Sequence, residues 1–219
     1  MSTATRTEVR SSHLRAFSLP AYAGTSRVAL VPEQAVLLAG DHVEVTVRVA
    51  AGRALEIVEP GGTVAYAMRG RAARWDVHVE VEEGGSLVWH GEPFVVAQGA
   101  DVVRSTTIDL APGGCVTLRE TLVLGRSGEA PGRLVTRTHI HRDGVPVLVE
   151  ELDSALGLGP HRVVDQVLDL RGFETVAARP PQPPEVTMVL ESGDLLHRWL
   201  GAETHASPLS VGQSSPSAE

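Results

Sequence analysis

His139-Ile140-His141 is the first place in this chain where side chains could do chemistry. On a strand, residues two apart point the same way, so the imidazoles would stand about 7 Å apart on one face. Such a pair binds a transition metal when a third ligand approaches. The next glutamate, Glu150, lies across a hairpin and diagonal to His139. One reading is therefore a β-rich metal-dependent enzyme using His139 and His141. The other is a solvated strand face that also carries Arg137.

Glu120 asks a sharper question. In the run Cys115 to Leu124 it shares a face with Val116, Leu118, Leu122 and Leu124, which should be buried. An unpaired carboxylate there would be strongly destabilising. Compensation must come from an arginine such as Arg119 or Arg126, from a water-filled passage, or from a metal ion in transit. Glu150, Glu151 and Asp153 form one acidic cluster and Glu80, Glu82 and Glu83 another. These read as solvated faces or as a docking surface that attracts cations. Cys115, a lone thiol after a Pro-Gly-Gly turn, reads as structural. No phosphate loop, dinucleotide fingerprint, nucleophile elbow or His-Glu-x-x-His is present. The residues name no reaction.

The elements that must position these groups are strands. In His42 to Val49 the valines 43, 45, 47 and 49 share one face, and His42, Glu44, Thr46 and Arg48 the other. Trp75 to Val81 repeats the pattern with Asp76, His78 and Glu80 outward. Further runs are Leu55–Val58, Ser86–His90, Pro93–Ala97, Val102–Leu110, Cys115–Leu124, Arg133–His141 and Val145–Asp153. Short strands separated by turns such as Ala51-Gly52, Gly84-Gly85 and Pro112-Gly113-Gly114 imply a sandwich, barrel or β-solenoid, although no exact repeat is visible. Asp143-Gly144 between two alternating runs marks a type I′ hairpin. Simple pairing from Arg142 and Val145 sets Ile140 opposite Val147, Arg137 opposite Glu150 and Pro146 opposite His141. The proline makes that second strand an edge. Pro180-Pro181-Gln182-Pro183-Pro184 reads as a stiff link. Asp194 to Leu200 has helical spacing, with Ser192 as its N-cap and a helix expected over Leu195–Leu200. The organisation expected is a single β domain over 1–205 and a disordered tail over 206–219.

Composition narrows the field. A net charge of −8 argues against nucleic acid as the main partner. One cysteine excludes an internal disulfide framework and fits a reducing compartment. No stretch approaches a membrane span, and Met1 to Leu19 lacks a signal-peptide core, so a soluble cytoplasmic protein is expected. With three Trp, three Phe and two Tyr, the core must rest on small β-branched residues.

Three segments carry a family resemblance. The first is Leu37-Leu38-Ala39-Gly40-Asp41, leading on to Gly62-Thr63-Val64-Ala65-Tyr66. The second runs from Gly85-Ser86-Leu87-Val88-Trp89 through Glu92-Pro93-Phe94, Gly99-Ala100 and Leu110-Ala111-Pro112-Gly113 to Glu120 and Leu124-Gly125-Arg126. The third is Ile140-His141-Arg142-Asp143-Gly144-Val145-Pro146. Their order and spacing, over residues 37 to 153, resemble the urease accessory protein family UreD, also called UreH. The resemblance implies an all-β, irregular β-helix-like stack of many short strands with at most one or two short helices. It implies a non-catalytic scaffold that bridges urease apoprotein and the UreF-like and UreG-like (GTPase) accessory proteins and helps deliver nickel, with no membrane or nucleic-acid partner. No cofactor would be tightly bound, although Ni²⁺ could pass transiently. On that picture Glu120, Asp41, Asp143 and Glu150 would line a polar passage, and Arg126 and Glu92 would serve partner binding.

Overall fold

The computed structural model describes residues 7–33, 37–172 and 186–209. Alternation of apolar and polar residues builds two facing sheets, and the chain passes back and forth between them. In the first, β4 (His42–Val49), β7 (Ala73–Val81), β10 (Asp101–Leu110) and β12 (Arg133–Arg142) run parallel. In the second, β3 (Thr25–Pro32), β5 (Ala54–Val58), β8 (Ser86–His90) and β11 (Cys115–Leu124) do the same. The sequence follows the order β4, β5, β7, β8, β10, β11, β12, so each pass adds one strand to each sheet. Two short strands, β6 (Thr63–Ala65) and β9 (Phe94–Val96), continue the coils at one flank, where β9 also pairs with the end of β11.

Hydrogen bonding continues through the turns between the sheets. The Gly52 N–H donates to the Glu83 carbonyl at 2.9 Å, and the Gly84 N–H to Pro112 at 3.0 Å. On the opposite flank the corners touch backbone to backbone. A Cβ on Gly62 would meet the Pro93 carbonyl oxygen at 2.5 Å, and one on Gly91 would meet that of Arg119 at 2.9 Å. Only glycine allows the coils to stack this closely there.

Antiparallel strands close both ends. In the first sheet these are β1 (Glu8–Ser11) beside β4, and β13 (Val145–Asp153) beside β12. In the second, β2 (Leu14–Tyr22) pairs with β3 at one end, while β14 (Val163–Leu170), β16 (Leu195–Gly201) and β15 (Thr187–Val189) follow β11 at the other. Among the described residues the sheets thus hold 6 and 10 strands, and a single short α-helix, Ser154–Gly157, follows β13, with Asp153 as its cap. The all-β stacked-strand architecture expected from the sequence is the one observed.

Inward side chains fall into columns, one residue from each coil. Val47, Val79, Ile108 and Ile140 form one such column, and each is essentially inaccessible to solvent. This explains how a chain poor in aromatics fills its core. β-Branched side chains interdigitate between stacked strands, and burial scales with the number of coils.

Two local expectations are corrected. Leu195–Leu200 is strand, not helix. A six-residue helix is marginal by itself, whereas here every residue from Leu195 to Gly201 is paired in register with β14. Ser192 caps no helix; its hydroxyl donates to the Asp194 carboxylate at 2.7 Å in the turn before β16. The hairpin at Asp143-Gly144 forms as expected, with φ of 53° and 76° at the two turn residues, and β13 is an edge. Its register is not the simple one. After Arg142↔Val145 and His141↔Pro146 a bulge shifts the pairing, so Ile140 faces Leu148 and Arg137 faces Glu151. The proline-rich link at 180–184 lies outside the described residues, as does the expected tail beyond Leu209; Leu209 itself is buried.

Truncating one member of the column tests the packing. Ile108→Ala should lower the unfolding free energy by about 2–5 kcal/mol in urea titrations, while Thr107→Ala on the opposite face should change it little. Equal effects at the two positions would contradict the inward–outward assignment.

Candidate functional site

At the C-terminal end of the stack the columns turn polar. Glu120 on β11, Gln166 on β14 and Arg198 on β16 are register partners and form one column of the second sheet. Facing them, Thr106, Thr138 and Glu150 form a column of the first. The bulge is what brings Glu150 there. Simple hairpin pairing would set it opposite Arg137, on the outer face, but the extra residue at Val147 aligns it with Thr138 and turns it inward.

The two columns join into a chain of charge-assisted bonds. Arg104 donates to Glu120 Oε1 through Nε at 3.2 Å and Nη2 at 2.7 Å. Gln166 Nε2 donates to Glu120 Oε2 at 2.8 Å. Arg198 donates to Gln166 Oε1 through Nε at 3.0 Å and to Glu150 Oε1 through Nη1 at 2.7 Å. Glu120 is 6% exposed, so its charge is met by Arg104 and not by the arginines expected from the sequence. Arg119 points to the other face of β11, where it clasps the buried Asp165. Arg126 lies past the end of the strand and pairs with Glu129, whose carboxyl it holds down at about 2.

Beside Arg104 the seam meets a cavity lined by Glu59, Trp75, Trp89, Phe94, Arg104 and Glu120. Its free space is about 10 Å³, the scale of one water molecule. The Arg104 guanidinium lies 5.0 Å from the Phe94 ring centroid and 5.7 Å from that of Trp75. Glu59 accepts from Trp89 Nε1 at 2.8 Å and from the Glu92 N–H at 3.0 Å. Burial pushes the Glu59 carboxyl above its ordinary value, and these hydrogen bonds and Arg104 offset only part of the rise. Glu92 is exposed and lines the outer side of this cavity.

The residues singled out from sequence divide accordingly. Glu120 and Glu150 belong to one network, and Glu92 borders it. Asp41 and Asp143 stand apart in turns: Asp41 accepts from the Leu38 N–H at 2.7 Å, and Asp143 is exposed at the hairpin tip. His139 and His141 are on the outer face of the first sheet, in rows with His78 and Asp109. His141 Nδ1 lies 3.2 Å from an Asp109 oxygen, and His139 is exposed. Among the described residues no three His, Cys, Asp or Glu side chains are grouped to hold a metal ion. Glu80 pairs with Arg48, and Glu151 with Arg137, as on a solvated face.

Four members of the seam were not anticipated. Arg104 carried the same signal as Glu120, a charge at an inward position between Val102 and Thr106. Gln166 was hidden in a strand buried on both faces, which shows no alternation. Arg198 was masked by the helical reading of its segment, and Glu59 by its place at a corner between strands.

Comparison with known proteins decides the family. The family model for UreD urease accessory protein matches residues 12–204. The chain belongs to the UreD urease accessory protein family. It is 46% identical to urease accessory protein UreD 1 of Streptomyces griseus over 166 residues, 72% of this chain and 63% of that relative. It is 38% identical to UreD of Streptomyces coelicolor over 180 residues, 77% and 68% of the two chains. UreD of Bordetella pertussis is 32% identical over 155 residues, 69% of this chain and 54% of that one. The chain therefore spans about three fifths of these relatives' length, and the seam lies within the matched UreD region. No helix among the described residues is long and apolar enough to cross a membrane.

The raised Glu59 carboxyl gives a pH signature. Its folded value lies above the unfolded value near 4.5, so the native state gains stability as pH falls through the folded value and loses it as pH rises. Glu59→Gln should therefore melt at a higher temperature than the parent at pH 8, with the difference closing towards pH 4.5. A gap that stays constant across this range would contradict the assignment.

Proposed function

We propose that this UreD-family chain acts in urease maturation as a non-catalytic, cytoplasmic scaffold. It bridges urease apoprotein and the UreF-like and UreG-like (GTPase) accessory proteins, and it passes Ni²⁺ towards the urease active site as cargo. The observation that carries the reading is the polar seam. A protein that needed only to be stable would fill the space between its sheets with apolar side chains, since isosteric apolar replacements of buried ion pairs are often neutral or stabilising. Here Glu120 and Glu150 cross that space, linked through Gln166 and Arg198 and met by Arg104, and Glu59 borders it at the cavity. Carboxylate and amide oxygens are suitable transient ligands for a divalent ion, and a set too sparse for tight chelation favours release over storage.

Partner contact has candidate surfaces at the sheet edges. β2 and β13 are edge strands, with Phe17, Tyr22, Val145 and Val149 exposed. Unpaired edges and apolar side chains of this kind suit association with other proteins.

Deletion and co-purification test the proposal. In a urease-producing host, loss of this gene should leave apo-urease poor in nickel and inactive, and the tagged chain should retain apo-urease and a UreF-like partner. Normal urease activity in the deletion strain, with neither partner retained, would end this reading. Glu120→Gln/Glu150→Gln should still retain apo-urease but lower the nickel content of the urease that is matured, which separates docking from passage.

A further inference from the structure

We infer that the Arg104 guanidinium is the gate of the seam: seated between Trp75 and Phe94 and bonded to Glu120, it closes the interior, and its displacement opens the Glu120 carboxylate to a divalent cation in the cavity that Glu59 also lines. The inference rests on the reading above that a cation crosses the interior.

At rest both oxygens of Glu120 are bonded. Oε1 accepts twice from Arg104 and lies 3.5 Å from the Thr106 hydroxyl, and Oε2 accepts from Gln166. Oε2 keeps a free lone pair, so a cation arriving from the Glu59 cavity that binds both oxygens must replace a group bonded to Oε1. Gln166 is a poor candidate to move. Its carbonyl is held by two nitrogens of Arg198, at 3.0 and 2.8 Å, and Arg198 is itself anchored through two further bonds to Glu150. Both ends of that segment are pinned.

Arg104 is tethered differently. Among the described residues its one ion pair is with Glu120; the faces of Trp75 and Phe94 lie beside it, and Glu59 acts on it through space without a bond. Ring faces hold a guanidinium without fixing its direction, so the group can slide while its alkyl stem stays packed. It also borders the cavity that Glu59 lines, so the space into which a cation would come is the space the guanidinium would vacate. The exchange replaces one positive charge beside Glu120 by two, which favours the divalent ion whenever its local concentration is high.

Calorimetric titration of the purified full chain with Ni²⁺ alone tests the gate. Arg104→Met keeps the stem and removes the charge, and Arg104→Gln keeps a hydrogen-bond donor without charge. Both should bind Ni²⁺ about tenfold more tightly than the parent, the scale on which one neighbouring charge shifts a carboxylate's affinity for a cation. Arg104→Lys should bind as the parent does, and adding Glu120→Gln to Arg104→Met should abolish the gain. Unchanged affinity in the Met and Gln variants, a gain equal in Arg104→Lys, or a gain that survives Glu120→Gln would each overturn the inference. Near-ultraviolet circular dichroism of the tryptophans reports whether the core is intact. If both uncharged variants lose that signal, Arg104 is a structural clamp and the gate is refuted. Failure of the gate with normal urease activation by the parent chain leaves the accessory role standing, whereas failure of activation by the parent overturns the role itself.

Discussion

Parallel stacking obliges each inward side chain to sit directly over its counterpart in the preceding coil, and the rest of the molecule follows from that constraint. Val47, Val79, Ile108 and Ile140 satisfy it with shapes that nest. Val43 and Trp75 continue in the same way until Arg104 takes the next place in their column. From that coil onwards the column can no longer be dry. A charge between two sheets must be answered from the opposite sheet, and Glu120 answers it. Gln166 and Arg198 then extend the polar row strand by strand, because register leaves them no other position.

Such a seam carries an energetic burden that its geometry keeps within bounds. Removing one partner of a buried pair typically costs about 3–5 kcal/mol, since the other charge is left without compensation. Here every carboxylate of the row has at least one donor, and Gln166 uses both ends of its amide. The satisfied row rigidifies the C-terminal coils. A second clamp works at the same end: Arg142 beside the hairpin turn binds the fully buried Asp194, which also accepts from the Gly172 N–H. Hairpin and β16 are thereby fixed to each other, and with them the two halves of the seam, Glu150 and Arg198.

The strands were legible because one face of each is wet. Wherever a strand has water on one side, as β4, β7 and β11 do, alternation marks its register and even its misfit, Glu120. Legibility failed where that contrast disappears or where pairing overrides local pattern. β14 is buried throughout and carries polar residues on both faces, Asp165 and Asp169 on one and Gln166 on the other, so Gln166 broke no alternation. β16 showed helix spacing, but a neighbouring strand already in place offers a hydrogen bond at every other residue, and the short segment follows it. The bulge at Val147 left no mark in composition, yet it decided which face Glu150 occupies. Motif order marks the family; the direction of the side chains at the site is set by pairing between distant strands.

A stack of parallel coils has no intrinsic length, since each terminal strand offers the next one a template. In this chain all four ends run against the grain: β1 and β13 in one sheet, β2 and β15 in the other, are paired antiparallel to their neighbours. Two of these outermost strands are also interrupted by proline, Pro20 in β2 and Pro146 in β13, each beside an irregularity in pairing. A second copy of the protein thus finds no matching coil to continue. Antiparallel, proline-broken borders of this kind work against end-to-end growth into a fibre.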